Sequence, residues 1–95
     1  MLIGQVVGTV VSTKKDEKLQ GLRFLIVKNL DLDGKPIGTY VVAVDSLGCD
    51  RSEVVLYATG SSARQTNVSK DKPVDAVIMA IIDAIEVQGQ TRYLK

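Results

Sequence analysis

The chain has 95 residues, 45% of them hydrophobic, and its twelve basic and eleven acidic residues leave a formal net charge of +1. That length allows one domain, and the balanced charge, with only Phe24, Tyr40, Tyr57 and Tyr93 as aromatics, argues against a nucleic-acid binder, which needs a basic surplus and stacking residues. With no histidine the commonest general base and metal ligand are missing, and the lone Cys49 can form no internal disulfide, which fits a reducing compartment.

Leu2 to Thr13 is dominated by β-branched residues and reads as one long strand. Gly4 and Gly8 share one face of it with Val6 and Val10, an arrangement that lets a strand bend or a neighbour come close. Lys14 to Gln20 is a polar loop ended by Gly21. Leu22 to Leu30 alternates as a strand apolar on much of both faces. Asp31 to Pro36 is a turn centred on Asp33-Gly34, a hairpin signal, and Ile37 to Asp45 is the returning strand. Asp31 and Asp33 fit a solvated hairpin better than a calcium loop, because the acidic series stops there. Gly48-Cys49-Asp50-Arg51-Ser52 is a second loop, and Glu53 to Ala58 is the next strand.

That strand runs into Gly60-Ser61-Ser62-Ala63-Arg64. Gly60 permits backbone angles that other residues avoid, and Ser61 or Ser62 is placed to cap a short helix. The stretch reads as a corner that projects Arg64 toward a carboxylate or carbonyl on a neighbouring surface. On spacing alone, a surface turn with a solvated arginine is the plainer account. Asn67 to Lys72 is a polar connection. Pro73 to Val87 carries two signals: Val74, Val77, Ile78, Ile81, Ile82 and Ile85 fit a helical face behind Pro73, yet half of the positions from Val74 to Val87 are Val or Ile. The strands on both sides decide for strand. Gln88-Gly89-Gln90 is then a tight turn into Thr91 to Leu94.

These elements predict an all-β, five-stranded, OB-like antiparallel barrel with one short helix after Gly60 and a C-terminal hairpin, in a single domain over residues 1–95. The apolar excess of so small a domain predicts burial between subunits. The longest apolar run, Ala76 to Ile82, is too short to cross a bilayer, and Met1 to Gly4 has no charged signal-peptide region, so the expectation is a soluble cytoplasmic protein with no membrane partner.

Catalytic arrangements are scarce. There is no Ser/His/Asp set, no Cys/His pair, no metal-spaced cluster and no phosphate-cradling P-loop, so the reading assigns no catalytic residue, cofactor or metal and expects no enzyme. Asp45, Asp75 and Asp83 suit capping of turns or acceptance from backbone N–H groups at strand ends. Cys49 lies near Arg51, a neighbour that would lower a thiol pKa, but a small loop-packing cysteine is the plainer account.

Several segments together carry a family resemblance. Gly4-x-Val6-Val7-Gly8-Thr9-Val10-Val11-Ser12-Thr13-Lys14-Lys15, Leu19-x-Gly21, Phe24-Leu25-x-Val27 and Val42-Ala43-Val44-Asp45-Ser46-Leu47-Gly48 match in order and spacing. The match is strongest at Gly60-Ser61-Ser62-Ala63-Arg64 and at Pro73-Val74-Asp75-Ala76-Val77-Ile78-x-Ala80-Ile81-Ile82-Asp83. With these the chain resembles the EutN/CcmL family, vertex proteins of bacterial microcompartment shells. The resemblance implies an OB-like barrel that forms a ring, usually a pentamer with a hexamer left open, at the corners of a shell tiled by hexameric shell proteins in the bacterial cytoplasm. It also places Gly60, Ser61, Ser62, Ala63 and Arg64 at a subunit boundary. One departure stands out. Where the family carries G-A-G-x-G-E, this chain has Gly48-Cys49-Asp50-Arg51-Ser52-Glu53, so Asp50 and Ser52 replace two glycines in a loop expected to face the ring or its central opening. The alternative reading is an OB-like module for oligonucleotide or oligosaccharide, which would need aromatics gathered on one strand face.

Overall fold

The β-branched runs pair as strands and the Gly- and Asx-rich segments turn between them. The protein is described by a computed structural model covering residues 1–95. Strands β1 (Leu2–Val10), β2 (Phe24–Leu30), β3 (Pro36–Val44), β4 (Val54–Thr59) and β5 (Ala76–Ile81) close a barrel in the order β1-β2-β3-β5-β4, with β4 pairing back onto β1. Strands β6 (Ala84–Val87) and β7 (Gln90–Leu94) form a separate hairpin. The expected barrel and hairpin are both present. Every pairing is antiparallel except the β3–β5 seam, which is parallel and narrow, at Val44↔Val77. Strand β1 stops at Val10 rather than Thr13, because beyond it no strand is paired on either side. The Lys14–Gln20 loop contains a single 3-10 turn, Glu17–Leu19, whose Lys18 N–H donates to the Asp16 carboxylate.

Strand β5 explains the two signals in Pro73–Val87. Ala76 and Ile78 face the barrel interior with Val6, Leu25, Val27, Ala43, Cys49, Val55 and Tyr57. Val77 points the other way, into a second core with Val44, Ala58, Ala63 and Val74. A strand covered on both faces needs no polar positions, so its apolar residues can imitate a helical stripe. A third cluster, Leu30, Val54 and Ile82 with Ile85 and Tyr93 against it, seats the hairpin on one end of the barrel. Ion pairs Arg92–Asp33 (2.6 Å) and Lys95–Glu53 (3.1 Å) tie the hairpin down, and an isolated two-stranded ribbon needs such support. Asp31 serves the β2–β3 turn: its Oδ1 accepts from the N–H groups of Asp33 and Lys35.

The barrel closes tightly at Gly4, which pairs with Asn29 of β2 and Val55 of β4. A Cβ at that position would lie 2.2 Å from Val27 Cγ1 and 3.0 Å from the Lys28 carbonyl oxygen. At Gly8, beside a bulge in β1, a Cβ would meet only Ile26 Cδ1, at 3.7 Å. Gly4→Ala is therefore expected to destabilise by about 2–3 kcal/mol through overpacking, and Gly8→Ala by well under about 1 kcal/mol. Urea denaturation of the two variants checks the contrast, and equal losses would refute it.

Candidate functional site

Residues Gly60–Gln65 form a six-residue 3-10 turn at the end of β4. Gly60 has φ +64° and donates its N–H to the Asp75 carbonyl, 2.9 Å away, so the corner is held against the entry to β5. The capping expectation fails: the N-cap is Thr59, which makes no side-chain cap bond, and Ser61 and Ser62 are exposed within the turn. A glycine corner of this kind bends the backbone by itself and leaves both serines facing outward. Ala63 is fully buried in the second core and is the foot of the turn. Its carbonyl accepts from the buried Ser69 hydroxyl, which is itself bonded to Thr66. Arg64 is exposed and makes no ion pair or side-chain hydrogen bond within its own chain. An exposed Arg64 fits both the solvated arginine and the projecting corner, and nothing in the sequence signalled that Ser69, six residues after Ala63, secures the platform.

The second predicted segment is organised by Asp45. Its side chain is only 3% exposed. Oδ1 accepts from the N–H groups of Leu47, Gly48 and Cys49 at 3.0–3.2 Å, and Oδ2 pairs with Arg23 Nη1 at 2.8 Å. Burial by itself raises this carboxyl's pKa, but the N–H groups of Leu47 and Cys49 and the Arg23 guanidinium outweigh it and hold the group below the usual carboxylate range. Cys49 is fully buried against the barrel interior. Burial, and then the neighbouring Asp45 charge, push its thiol up to about 12, which removes the support for a reactive Cys49. The loop-packing account stands.

Of the two lost family glycines, one is felt. Asp50 has no positive φ, whereas Ser52 has φ +81°. Asp50–Glu53 is a turn closed by the Glu53 N–H to the Asp50 carbonyl at 3.3 Å, and Ser52 occupies the third position, where a φ near +80° calls for glycine. The strained residue is clamped: its N–H donates to the Val6 carbonyl at 2.8 Å and its own carbonyl accepts from Gln5 Nε2 at 3.1 Å. Gly48, Cys49, Asp50, Arg51 and Ser52 are not uniformly exposed. Gly48, Asp50, Arg51 and Ser52 are exposed, and Cys49 is an internal plug.

A surface that the strand reading did not single out lies on the outer flank of β2 and β3. Tyr40 is 63% exposed and Val42 48%, on the face opposite the buried Ala43. Val42 pairs with Ile26, whose other neighbour across β1 is Gly8, which has no side chain to cover it. Phe24 and Val42 also line an apolar groove with Leu19 and Pro73. The signal was present in β2 being apolar on both faces.

Two expectations follow from the loop. Ser52→Gly should stabilise the protein by about 1 kcal/mol, measured by denaturant midpoint, because only the non-glycine residue bears the cost of the left-handed angle. Asp45→Ala should cost about 3 kcal/mol, since it strands an arginine and three backbone donors. The depressed pKa makes the contribution of Asp45 complete above about pH 4, the unfolded carboxyl value, and lost as pH falls through its folded value. The acid limb of a stability–pH curve should therefore flatten in Asp45→Ala.

The comparisons agree with this geometry. A family profile described as "Ethanolamine utilisation protein EutN/carboxysome" matches residues 1–83, leaving only the C-terminal hairpin outside. The carboxysome shell vertex protein CcmL of Gloeobacter violaceus is 43% identical over 95 residues, covering 100% of this chain and 95% of that protein. Its solved structure superposes with a TM-score of 0.96, over 100% of this chain and 98% of that one. The GrpN pentameric microcompartment shell protein from Rhodospirillum rubrum superposes at 0.84 with 40% identity, over 92% of this chain and 99% of its own. The shell vertex protein EutN of Salmonella typhimurium is 36% identical over 95 residues, covering 100% of this chain and 96% of that protein. The chain belongs to the EutN/CcmL family.

Proposed function

We propose that this protein is a structural shell protein whose cyclic pentamers cap the vertices of a polyhedral bacterial microcompartment. The observation that carries the reading is the superposition on CcmL over the whole chain and on the pentameric GrpN over 92% of it, by a barrel that leaves two unlike surfaces bare. A head-to-tail ring needs two different surfaces on each protomer, and it closes when the rotation between them divides a circle. Here one surface is the Gly60–Gln65 corner with Arg64, and the other is the apolar flank of Ile26, Tyr40 and Val42. Shell closure supplies the reason for the symmetry, since a flat hexagonal sheet closes only with five-fold units at its corners. The partners are further copies of this chain and the hexameric tiles around the vertex.

The protein acts as a tile and not as an enzyme. Its buried thiol is suppressed, and its one buried carboxylate is saturated by structural bonds. The oligonucleotide or oligosaccharide module loses its main requirement: Tyr57 is in the core, Tyr93 packs from the hairpin onto the end of the barrel and Phe24 is half buried, leaving Tyr40 as the one aromatic on an open face. No helix is long and apolar enough to cross a membrane.

Native mass spectrometry is expected to give a species of five times the 10.3 kDa chain mass, and a monomer at micromolar concentration would sink the reading. Arg64→Ala should raise the protomer concentration for ring dissociation about tenfold, and Val42→Glu should abolish the ring while preserving the β-sheet circular dichroism. If Arg64→Ala leaves the dissociation unchanged, Arg64 is a solvated arginine.

A further inference from the structure

One flank of the barrel gathers cations without acids. A cleft of about 430 Å³ is lined by Val6, Val7, Gly8 and Thr9 of β1 together with Arg23, Leu25 and Arg51. A second hollow adjoins it at Thr9 and Arg23 and adds Lys15. Neither is lined by a carboxylate, in a chain with eleven acidic residues. The acids nearest in the bonding network are committed elsewhere. Asp45 is sealed under its own loop, and Glu53 accepts from the Asp50 N–H and from Lys95. Asp50, next to Arg51 in sequence, lines neither hollow.

The two guanidiniums in the main cleft keep free donors. Arg23 uses Nη1 for the Asp45 carboxylate and the Cys49 carbonyl, which fixes its plane and leaves Nε and Nη2 without a partner in the chain. Arg51 has no intrachain partner, and it sits in the second position of the Asp50–Glu53 turn, beside the strained and clamped Ser52. Strain held in place by its surroundings is characteristic of functional positions. Two like charges facing one hollow whose walls are partly apolar repel each other, and a ligand with several acceptor oxygens relieves that repulsion while matching the forked N–H geometry.

We infer that the Arg23–Arg51 cleft is a binding site for a small oxyanion, of the class that bicarbonate, inorganic phosphate and short carboxylates share. Every residue lining the cleft belongs to one chain, so a pentamer carries five such sites. It goes beyond a purely passive tile: an anion held at the shell surface would be concentrated there or would tune the charge of the vertex.

The test uses the assembled protein. Backbone-amide and arginine Nε–H NMR shifts are followed during separate titrations with phosphate, bicarbonate and acetate, against sodium chloride at matched ionic strength. Saturable shifts at Arg23, Arg51, Gly8 and Thr9 are expected, and the ranking of the three anions identifies which oxyanion the site takes. Arg51→Ala should weaken binding at least about tenfold, Arg51→Lys should lie between it and wild type, and the remote Lys70→Ala should match wild type. Thermal melting confirms that the variants are folded, and Arg51→Lys carries the test if Arg51→Ala does not fold. The proposal is overturned if chloride alone reproduces the shifts, or if Lys70→Ala weakens binding as much as Arg51→Ala. It is also overturned if no anion shifts the cleft while Arg51→Glu breaks the ring, for a neighbour's carboxylate then fills the hollow.

Discussion

The Asp45 carboxylate is the constraint on which the Gly48–Glu53 loop and its seat on the barrel depend. A carboxylate this buried costs several kcal/mol to desolvate unless its lone pairs are taken up. Three successive backbone donors and one guanidinium take them up, and the depressed pKa records that they more than offset the burial. The Asp45 N–H also bonds to the Arg23 carbonyl at 2.9 Å, so side chain and backbone together lock the exit of β3 to the entry of β2. Everything downstream takes its position from there. Cys49 is pressed into the barrel interior, the Asp50–Glu53 turn is laid against β1, and the Ser52–Val6 bond continues the β1–β4 pairing that closes the barrel.

A chain of 95 residues closes this barrel by using both sides of its wall. The interior is one core, and the outer face of β4 and β5 becomes a second when Ala63 and Val74 are folded over it. Covering that side but not the outer flank of β2 and β3 makes the protomer asymmetric, with a built corner on one side and bare apolar surface on the other. Such asymmetry favours head-to-tail contacts and therefore rings. The same barrel wall also aligns Arg23 with Arg51 across β1, so the bare apolar flank and the cationic cleft come from one small sheet.

Much of the fold was legible because its signals are local. Strand runs, the Asp33-Gly34 and Gln88-Gly89 turns and the glycine corner at Gly60 depend on residues a few positions apart. The turns and the corner appear where the residues predict them, while β1 ends at Val10 rather than Thr13 and the strand expected over Pro73–Val87 is broken into β5 (Ala76–Ile81) and β6 (Ala84–Val87). Asp45 could also be read as a terminal acceptor, since the residues that bond it are the next few in the chain. What misled were positions whose role is set from outside. Ser61 and Ser62 have the chemistry of caps, but the Gly60–Asp75 bond shapes the corner instead. The helical stripe in Pro73–Val87 combines residues buried for separate reasons. Val74 and Val77 lie in the second core with Ala63 of the 3-10 turn, Ile78 in the barrel interior, and Ile82 and Ile85 in the cluster that seats the hairpin, and no periodicity within the segment can report that.

By itself the sequence determined the alternation of strands and turns, the exposed arginine after Gly60 and the departure at Asp50 and Ser52, because these are properties of neighbouring residues. Only the tertiary structure decided that Ser52 and not Asp50 bears the strain of a lost glycine, since the angle is imposed by a clamp to β1 some 46 residues away (Val6 to Ser52). It also decided that Arg23 and Arg51, both unremarkable as single charges, share one hollow from which acids are absent. Barrel closure brings those groups together, and closure is a long-range event that charge counts along a chain do not record.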